Sequence, residues 1–172
     1  LEYFQDMMRR QSIVNAGIKF VLRNQNGSKF ETFEYFYENG ITDHLKEVVG
    51  NNAISSVCTW SGERVGRDRA DQPEYKLKIN VAMCFSNTKT LKEYYHNSSW
   101  LEYGGAPDKA VRNAFVYQID NYIKQTNKYK SGESKITFSD VEECLVLVTS
   151  SFSTVTSYEN QTKKAVTNKF IA

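Results

Sequence analysis

The chain has 172 residues, 40% hydrophobic and 24% charged, with net charge +2 and a sequence pI near 8.4. That is enough apolar chain for one globular domain with a buried core, with room for part of another. The charge is too balanced to argue a nucleic-acid-binding surface, and the longest apolar run, Cys144 to Val148, is far too short to span a bilayer.

Leu1 to Ser12 reads as a helix, with Leu1, Phe4, Met7 and Met8 on one face and Arg9 and Arg10 near its C-terminal end. Asn15-Ala16-Gly17 ends it. Ile18 to Arg23 reads as a strand, Asn24 to Ser28 as a turn and Lys29 to Tyr35 as the return strand of a hairpin. Thr42 reads as the cap of a short helix over Asp43 to Val49, stopped by Gly50. Ala53 to Trp60 follows as a strand. Ser61 to Pro73 reads as a polar loop in which Arg64, Arg67 and Arg69 cluster, fitting either a solvated connector or a phosphate-binding loop.

Glu74 to Phe85 is the clearest strand. Tyr75, Leu77, Ile79, Val81, Met83 and Phe85 alternate with Lys76, Lys78 and Asn80, so one face must pack. Thr88 to Tyr95 fits a helical turn or a strand, and His96 reads as a solvated or hydrogen-bonded residue in a loop. Gly104-Gly105 precedes a helix opened by Pro107 and Asp108 and running to about Thr126, with Val111, Ala114, Phe115, Ile119, Tyr122 and Ile123 as its stripe. A glycine turn there can cradle phosphate, but a lone Gly-Gly lacks the spacing of a P-loop. Asn127 to Lys135 is a polar loop, Ser139 with Glu142 reads as a capping box, and Cys144 to Thr156 is a long β-rich run. Strands alternating with helices indicate an α/β, two-layer architecture: helices on one face of a mixed sheet. Cys58, Cys84 and Cys144 contain no Cys-x-x-Cys pair and read as free buried thiols in a reducing compartment, not a zinc site. No signal peptide is visible. An intracellular chain is expected, and both ends look cut from something longer.

Tyr158 to Lys164 is short, polar and doubly basic. Gln161 offers amide donors and Lys163 an ammonium. At i and i+2 in an extended loop they would point the same way, toward an anion. A solvated turn is the plain alternative.

The run Tyr158-Glu159-Asn160-Gln161-Thr162-Lys163 resembles the Phe-Glu-Gly-Gln-Thr-Lys loop in the ATPase subunit of type IIA DNA topoisomerases, the gyrase B subunit and its relatives. Other stretches match in the same order. Arg10 to Ile18 is similar to the helix end and turn that close the family's ATPase domain. Phe36 to Ile41 is similar to the Tyr-x-Gly-Gly-Ile junction, with Asn39 for the first Gly. Glu102 and Gly104-Gly105 match a Glu-Gly-Gly-Thr-His run, with Ala106-Pro107 for Thr-His. Thr137 to Leu145 is similar to Leu-Thr-x-Glu-Asp-Val-Arg-Glu-Gly-Leu. The Asn- and Lys-rich flavour resembles the large subunit of T4-like phage topoisomerases.

The resemblance implies a ribosomal protein S5 domain 2-like transducer over residues 38–172, preceded at 1–37 by the last helix and hairpin of a GHKL ATPase domain. It implies that Gln161 and Lys163 touch the ATP γ-phosphate, with Lys163 the catalytic group. ATP and Mg²⁺ would serve the full-length protein, whose main pocket and metal ligand lie outside this chain: no Walker loop, Asp-x-Gly-x-Gly or Glu-x-x-Asn-Asp pattern occurs here. No residue here is expected to bind metal. The implied partners are double-stranded DNA, a DNA-cleaving subunit and a second ATPase subunit, in a bacterial or phage-infected cytoplasm and not at a membrane. Lys76, Lys78, Arg64, Arg67 and Arg69 would face DNA. Two other readings remain: a stand-alone nucleic-acid-binding or adaptor module, and a mismatch-repair or chaperone member of the same ATPase superfamily.

Overall fold

In the computed structural model, which describes residues 1–172, helix α1 (Glu2–Val14) leads into the hairpin of β1 (Phe20–Asn26) and β2 (Lys29–Tyr35). Helix α2 (Ile41–Val49) and strands β3 (Cys58–Gly66), β4 (Tyr75–Phe85), β5 (Leu91–His96), β6 (Ser99–Trp100) and β7 (Gly104–Gly105) follow. Helices α3 (Ala106–Gln125) and α4 (Phe138–Glu142) and strands β8 (Leu145–Ser153) and β9 (Ala165–Val166) complete the chain.

Strands pair in the order β3-β4-β8-β5-β6. Only β5 and β8 run parallel, so the sheet is mixed. β8 sits in the middle, and Leu145, Val146, Leu147 and Val148 are all 0% exposed. A strand covered on both faces has no need to alternate, which is why this stretch reads as one apolar run. Leu145 and Leu147 pack with Leu77, Tyr94, Phe138 and Val141, under α3 and α4. Val146 and Val148 face the other way, toward Ala82, Cys84, Ile13, Leu45 and Val49. The mixed sheet and its helical layer are as the sequence implies. α2 and the end of α1 additionally cover part of the second face, where β4 turns small and apolar at Ala82 and Cys84. The rest of that face, around Lys76 and Lys78, is open.

Several local expectations are corrected. The strand predicted over Ala53 to Trp60 begins only at Cys58 and runs to Gly66, so Arg64 lies on β3 rather than in a loop. Pairing with all of β4 from Tyr75 to Met83 holds this polar segment extended despite its weak apolar pattern. Thr42 does not cap α2; Gly40 is the N-cap, and the Asp43 carboxylate instead accepts the Asn39 N–H at 2.7 Å. The capping box belongs to Thr137 and Asp140, not Ser139 and Glu142. The predicted apolar face of α1 is not a core face, since Leu1 and Phe4 are 50% and 52% exposed; α1 is anchored by Ser12 and Ile13. Arg9 and Arg10 sit in its middle, on Glu47 and Asp6. Cys84 is buried as expected, but Cys58 is exposed, and all three thiols are free. Of the two readings of His96 the hydrogen-bonded one holds, but the residue is fully buried and closes β5 rather than lying in a loop.

Candidate functional site

After β8 the chain turns out into an arm. The Thr167 N–H donates to Ser157 O at 2.9 Å, Tyr158 bridges Val166, and the Glu159 N–H donates to Ala165 O at 3.0 Å. These bonds make residues 157–167 a narrow hairpin. Its tip is a tight turn: the Lys163 N–H reaches Asn160 O at 3.2 Å, and Lys163 takes φ +56. The extended loop expected here is therefore corrected. Asn160 supplies the reason, because its Oδ1 accepts both the Thr162 N–H and the Thr162 hydroxyl and curls the chain back.

The arm divides its polar groups. Asn160 and Thr162 hold the turn, and Lys164 pairs with Glu102, beside Gly104. The bond to Glu102 raises the Lys164 pKa. Gln161 and Lys163 are exposed, and neither side chain has an ion pair or hydrogen bond. The Lys163 ammonium stands 5.6 Å from the Tyr158 ring, a cation–π approach that leaves its donors free. A cleft of about 440 Å³ lies between α1 and the arm, lined by Asp6, Arg10, Trp100, Glu102, Thr162 and Lys164 among others; Gln161 and Lys163 lie outside its lining.

Two polar clusters hold the foot of the arm. In one, the Thr156 hydroxyl lies 3.0 Å from His96 Nε2 and accepts from Asn97 Nδ2 at 2.8 Å. In the other, Asn168 links Ser157 to Asp68 and Tyr75. Sequence reasoning missed Asp68, Thr156 and Asn168. Asp68 and Asn168 are 100 residues apart, and neither sits in a local pattern that marks it.

The five basic residues do not form one patch. Lys76 and Lys78 both bind Glu63, at 2.6 and 2.8 Å, and their hydrogen bonds hold its carboxyl down to about 2. Arg64 pairs in register with Leu77 and so lies on the opposite face. Arg67 is bound to Glu74 at 2.6 Å and Arg69 to Asp71 at 3.4 Å. The Gly104-Gly105 turn is structural: β7 pairs with β9, and a Cβ on Gly105 would come within 2.3 Å of Val166 O. No helix is long and apolar enough to cross a membrane.

Comparisons with known proteins agree with this architecture. The family model described as DNA gyrase B matches residues 40–172. The DNA gyrase B protein of Mycoplasma genitalium is 25% identical over 169 residues, covering 94% of this chain and 25% of that protein. Its counterpart from Spiroplasma citri is 27% identical over 169 residues, covering 95% and 25%. The chain thus spans about a quarter of the length of these relatives. Among solved structures, the 43K ATPase domain of Thermus thermophilus gyrase B, in complex with an aminocoumarin, superposes with TM-score 0.69 at 16% identity, covering 99% of this chain and 43% of that one. The topoisomerase IV ATP-binding domain of Francisella tularensis gives 0.66 at 18% identity, with coverage of 99% and 43%. These two likenesses speak to fold alone, and the match of the family model over most of the chain supplies the rest. The chain belongs to the DNA gyrase B family.

Proposed function

We propose that this chain is the coupling part of an ATP-dependent type II DNA topoisomerase, with residues 38–172 as the transducer and residues 1–37 as the end of the adjoining ATPase domain. The observation that carries the reading is the division of labour at the arm's tip. Its neighbours hold the turn, while Gln161 and Lys163 keep every side-chain donor unspent. A projecting ammonium and amide suit a terminal phosphate presented by the ATPase domain. An ammonium about 4 Å from a phosphate charge gains roughly 4 kcal/mol at an effective dielectric near 20. ATP, when bound in the full-length protein, supplies the phosphoryl group. Lys163 then stabilises charge on it, and Gln161 orients it. Contact made or lost at the tip moves the arm together with the sheet on which it is rooted, which is the coupling step.

We assign Mg²⁺ to residues outside this chain, because the Glu-x-x-Asn-Asp pattern that the family resemblance ties to the metal does not occur here. Double-stranded DNA, a DNA-cleaving subunit and a second ATPase subunit are the proposed partners, in the cytoplasm of a bacterium or of a phage-infected cell. Within the family we propose a likeness to the T4-like phage large subunit, from the Asn- and Lys-rich sequence and the lost Gly and His of the family's runs. The basic residues contribute little to a DNA-facing surface in this arrangement, because Glu63, Asp71 and Glu74 occupy four of the five. That argues against the stand-alone nucleic-acid module.

The test is DNA-stimulated ATP turnover by the full-length protein carrying this chain. Lys163→Ala is expected to lower kcat about 10²–10³-fold, with the fold intact by circular dichroism. Near-normal turnover would sink the assignment.

A further inference from the structure

Asn168 is 1% exposed and uses both ends of its amide. Its Oδ1 accepts the Ser157 N–H at 2.6 Å, across the foot of the arm. Its Nδ2 donates to Asp68 Oδ2 at 2.9 Å and to the Tyr75 hydroxyl at 3.2 Å. Asp68 Oδ1 accepts the Tyr75 hydroxyl at 2.7 Å and the Phe170 N–H at 2.8 Å. One carboxylate thus ties the β3–β4 connection to the return side of the arm, and one amide ties the return side to the outgoing side. Burial pushes the Asp68 carboxyl up, but these donors outweigh it and hold the group below the usual carboxylate range.

The anchorage is stiff. The Phe170 ring lies against Gly66, where a Cβ would meet it at 2.2 Å, and stands edge-on to Tyr75 at 5.5 Å. From Ser157 outward the arm is a hydrogen-bonded hairpin with its free ammonium at the far end. A tilt at the foot is therefore enlarged at the tip. Reacting groups tolerate little of this, since about 1 Å of misplacement costs about 10²-fold in rate.

We infer that Asp68 and Asn168 are a positioning pair that sets where Gln161 and Lys163 stand, an inference that rests on the reading of Lys163 as a phosphate contact. Neither touches the nucleotide. They act by fixing the arm's foot to the sheet edge between Arg67 and Arg69, so a shift of that connection reaches the tip through a single carboxylate.

The experiment uses the full-length protein carrying this chain, with ATP turnover in the presence of DNA and tryptic cleavage at the arm as readouts. Asp68→Asn and Asn168→Asp are each expected to lower kcat about tenfold with the KM for ATP nearly unchanged. Each should also speed cleavage after Lys163. The exchange of both, Asp68→Asn with Asn168→Asp, again sets one amide against one carboxylate. It should return both readouts to near wild type. Asp68→Asn added to Lys163→Ala should cost nothing further, because the pair acts only through that lysine. Should the exchanged pair fail to fold, Tyr75→Phe removes one bond to Asp68, keeps the ring on Phe170 and should lower kcat a few-fold. Additive losses with Lys163→Ala, or single variants that keep wild-type kcat while Lys163→Ala collapses it, would overturn the positioning role alone. Undiminished turnover in Lys163→Ala would overturn the phosphate reading and the positioning role with it.

Discussion

Lys163 and Lys164 are adjacent in sequence and opposite in circumstance: Lys164 is ion-paired to Glu102, whereas Lys163 has no carboxylate partner and stands at the tip of the arm. The turn at Asn160 separates them, because Lys163 takes φ +56 and the chain reverses before Lys164. Their substitutions are expected to differ accordingly. Lys163→Ala should leave the melting temperature almost unchanged and lower DNA-stimulated ATP turnover about 10²–10³-fold. Lys164→Ala removes a partly exposed ion pair that solvent screens, and turnover should fall no more than a few-fold. Equal losses for the two would contradict this division of roles.

Gly105 and Gly132 form a matched pair for a stability test. Gly132 has φ +81 and open space around its Cβ position, so Gly132→Ala meets only backbone strain, about 1 kcal/mol. Gly105 has φ +73, and a Cβ there would meet Val166 O at 2.3 Å and Val166 N at 2.7 Å. Gly105→Ala must push β7 off β9 and should cost about 3 kcal/mol or more. Urea denaturation of the two variants decides it; similar midpoints would count against the close β7–β9 contact.

Thr149 is 4% exposed, and its hydroxyl has no hydrogen-bond partner. It lines an apolar groove of about 250 Å³ between α3 and the sheet, with Val81, Val111, Phe115 and Leu147. A buried hydroxyl without a partner costs about 1–3 kcal/mol, and a shape-conserving apolar replacement relieves that. Thr149→Val should therefore stabilise the fold by about 1 kcal/mol, raising the melting temperature by about 2–4 °C. A lower melting temperature would show that the hydroxyl has a partner.

His96 carries the pH prediction. Ser151 Oγ donates to Tyr95 O at 3.2 Å, and Ser153 Oγ donates to Val155 O at 2.7 Å. His96 Nδ1 lies 2.7 Å from Ser151 Oγ, and Nε2 lies 3.1 Å from Ser153 Oγ and 3.0 Å from the Thr156 hydroxyl, so these partners of the ring are all neutral hydroxyls. The ring is neutral, and burial lowers its pKa from 6.5 to about 4. Between those values the unfolded chain binds the proton and the folded chain does not. Stability is thus full above about pH 6.5 and is lost as the pH falls toward about 4. The loss should be on the order of 2 kcal/mol. Urea midpoints from pH 4.5 to 6.5 should fall with acid, and NMR should show a neutral His96 ring at pH 5.5. A ring titrating near 6.5 would refute the assignment.

Much of the fold was legible because its signals are local. The alternation of Tyr75 to Phe85 predicted β4 to within one residue at its start, and Lys29 to Tyr35 is β2 with the expected limits. The glycine after Val49 stops α2 as read, with φ +52. β3 was harder, because Ser61 to Gly66 is polar and is held extended by its partner strand rather than by its own side chains. At the site, the sequence pointed to Gln161 and Lys163 but implied an extended loop, since the Asn160 side chain's capture of Thr162 leaves no periodic trace.

Residue type and spacing by themselves determined the mixed sheet with its helical layer, the β-rich run that becomes β8 and the amide and ammonium of one loop, for apolar periodicity and turn chemistry act over a few residues. Only the tertiary structure decided which lysine of an adjacent pair is free, that Lys76 and Lys78 share Glu63, and that Asp68 and Asn168 hold the arm across 100 residues. Those contacts follow from strand register and packing, which bring together groups that the sequence keeps far apart.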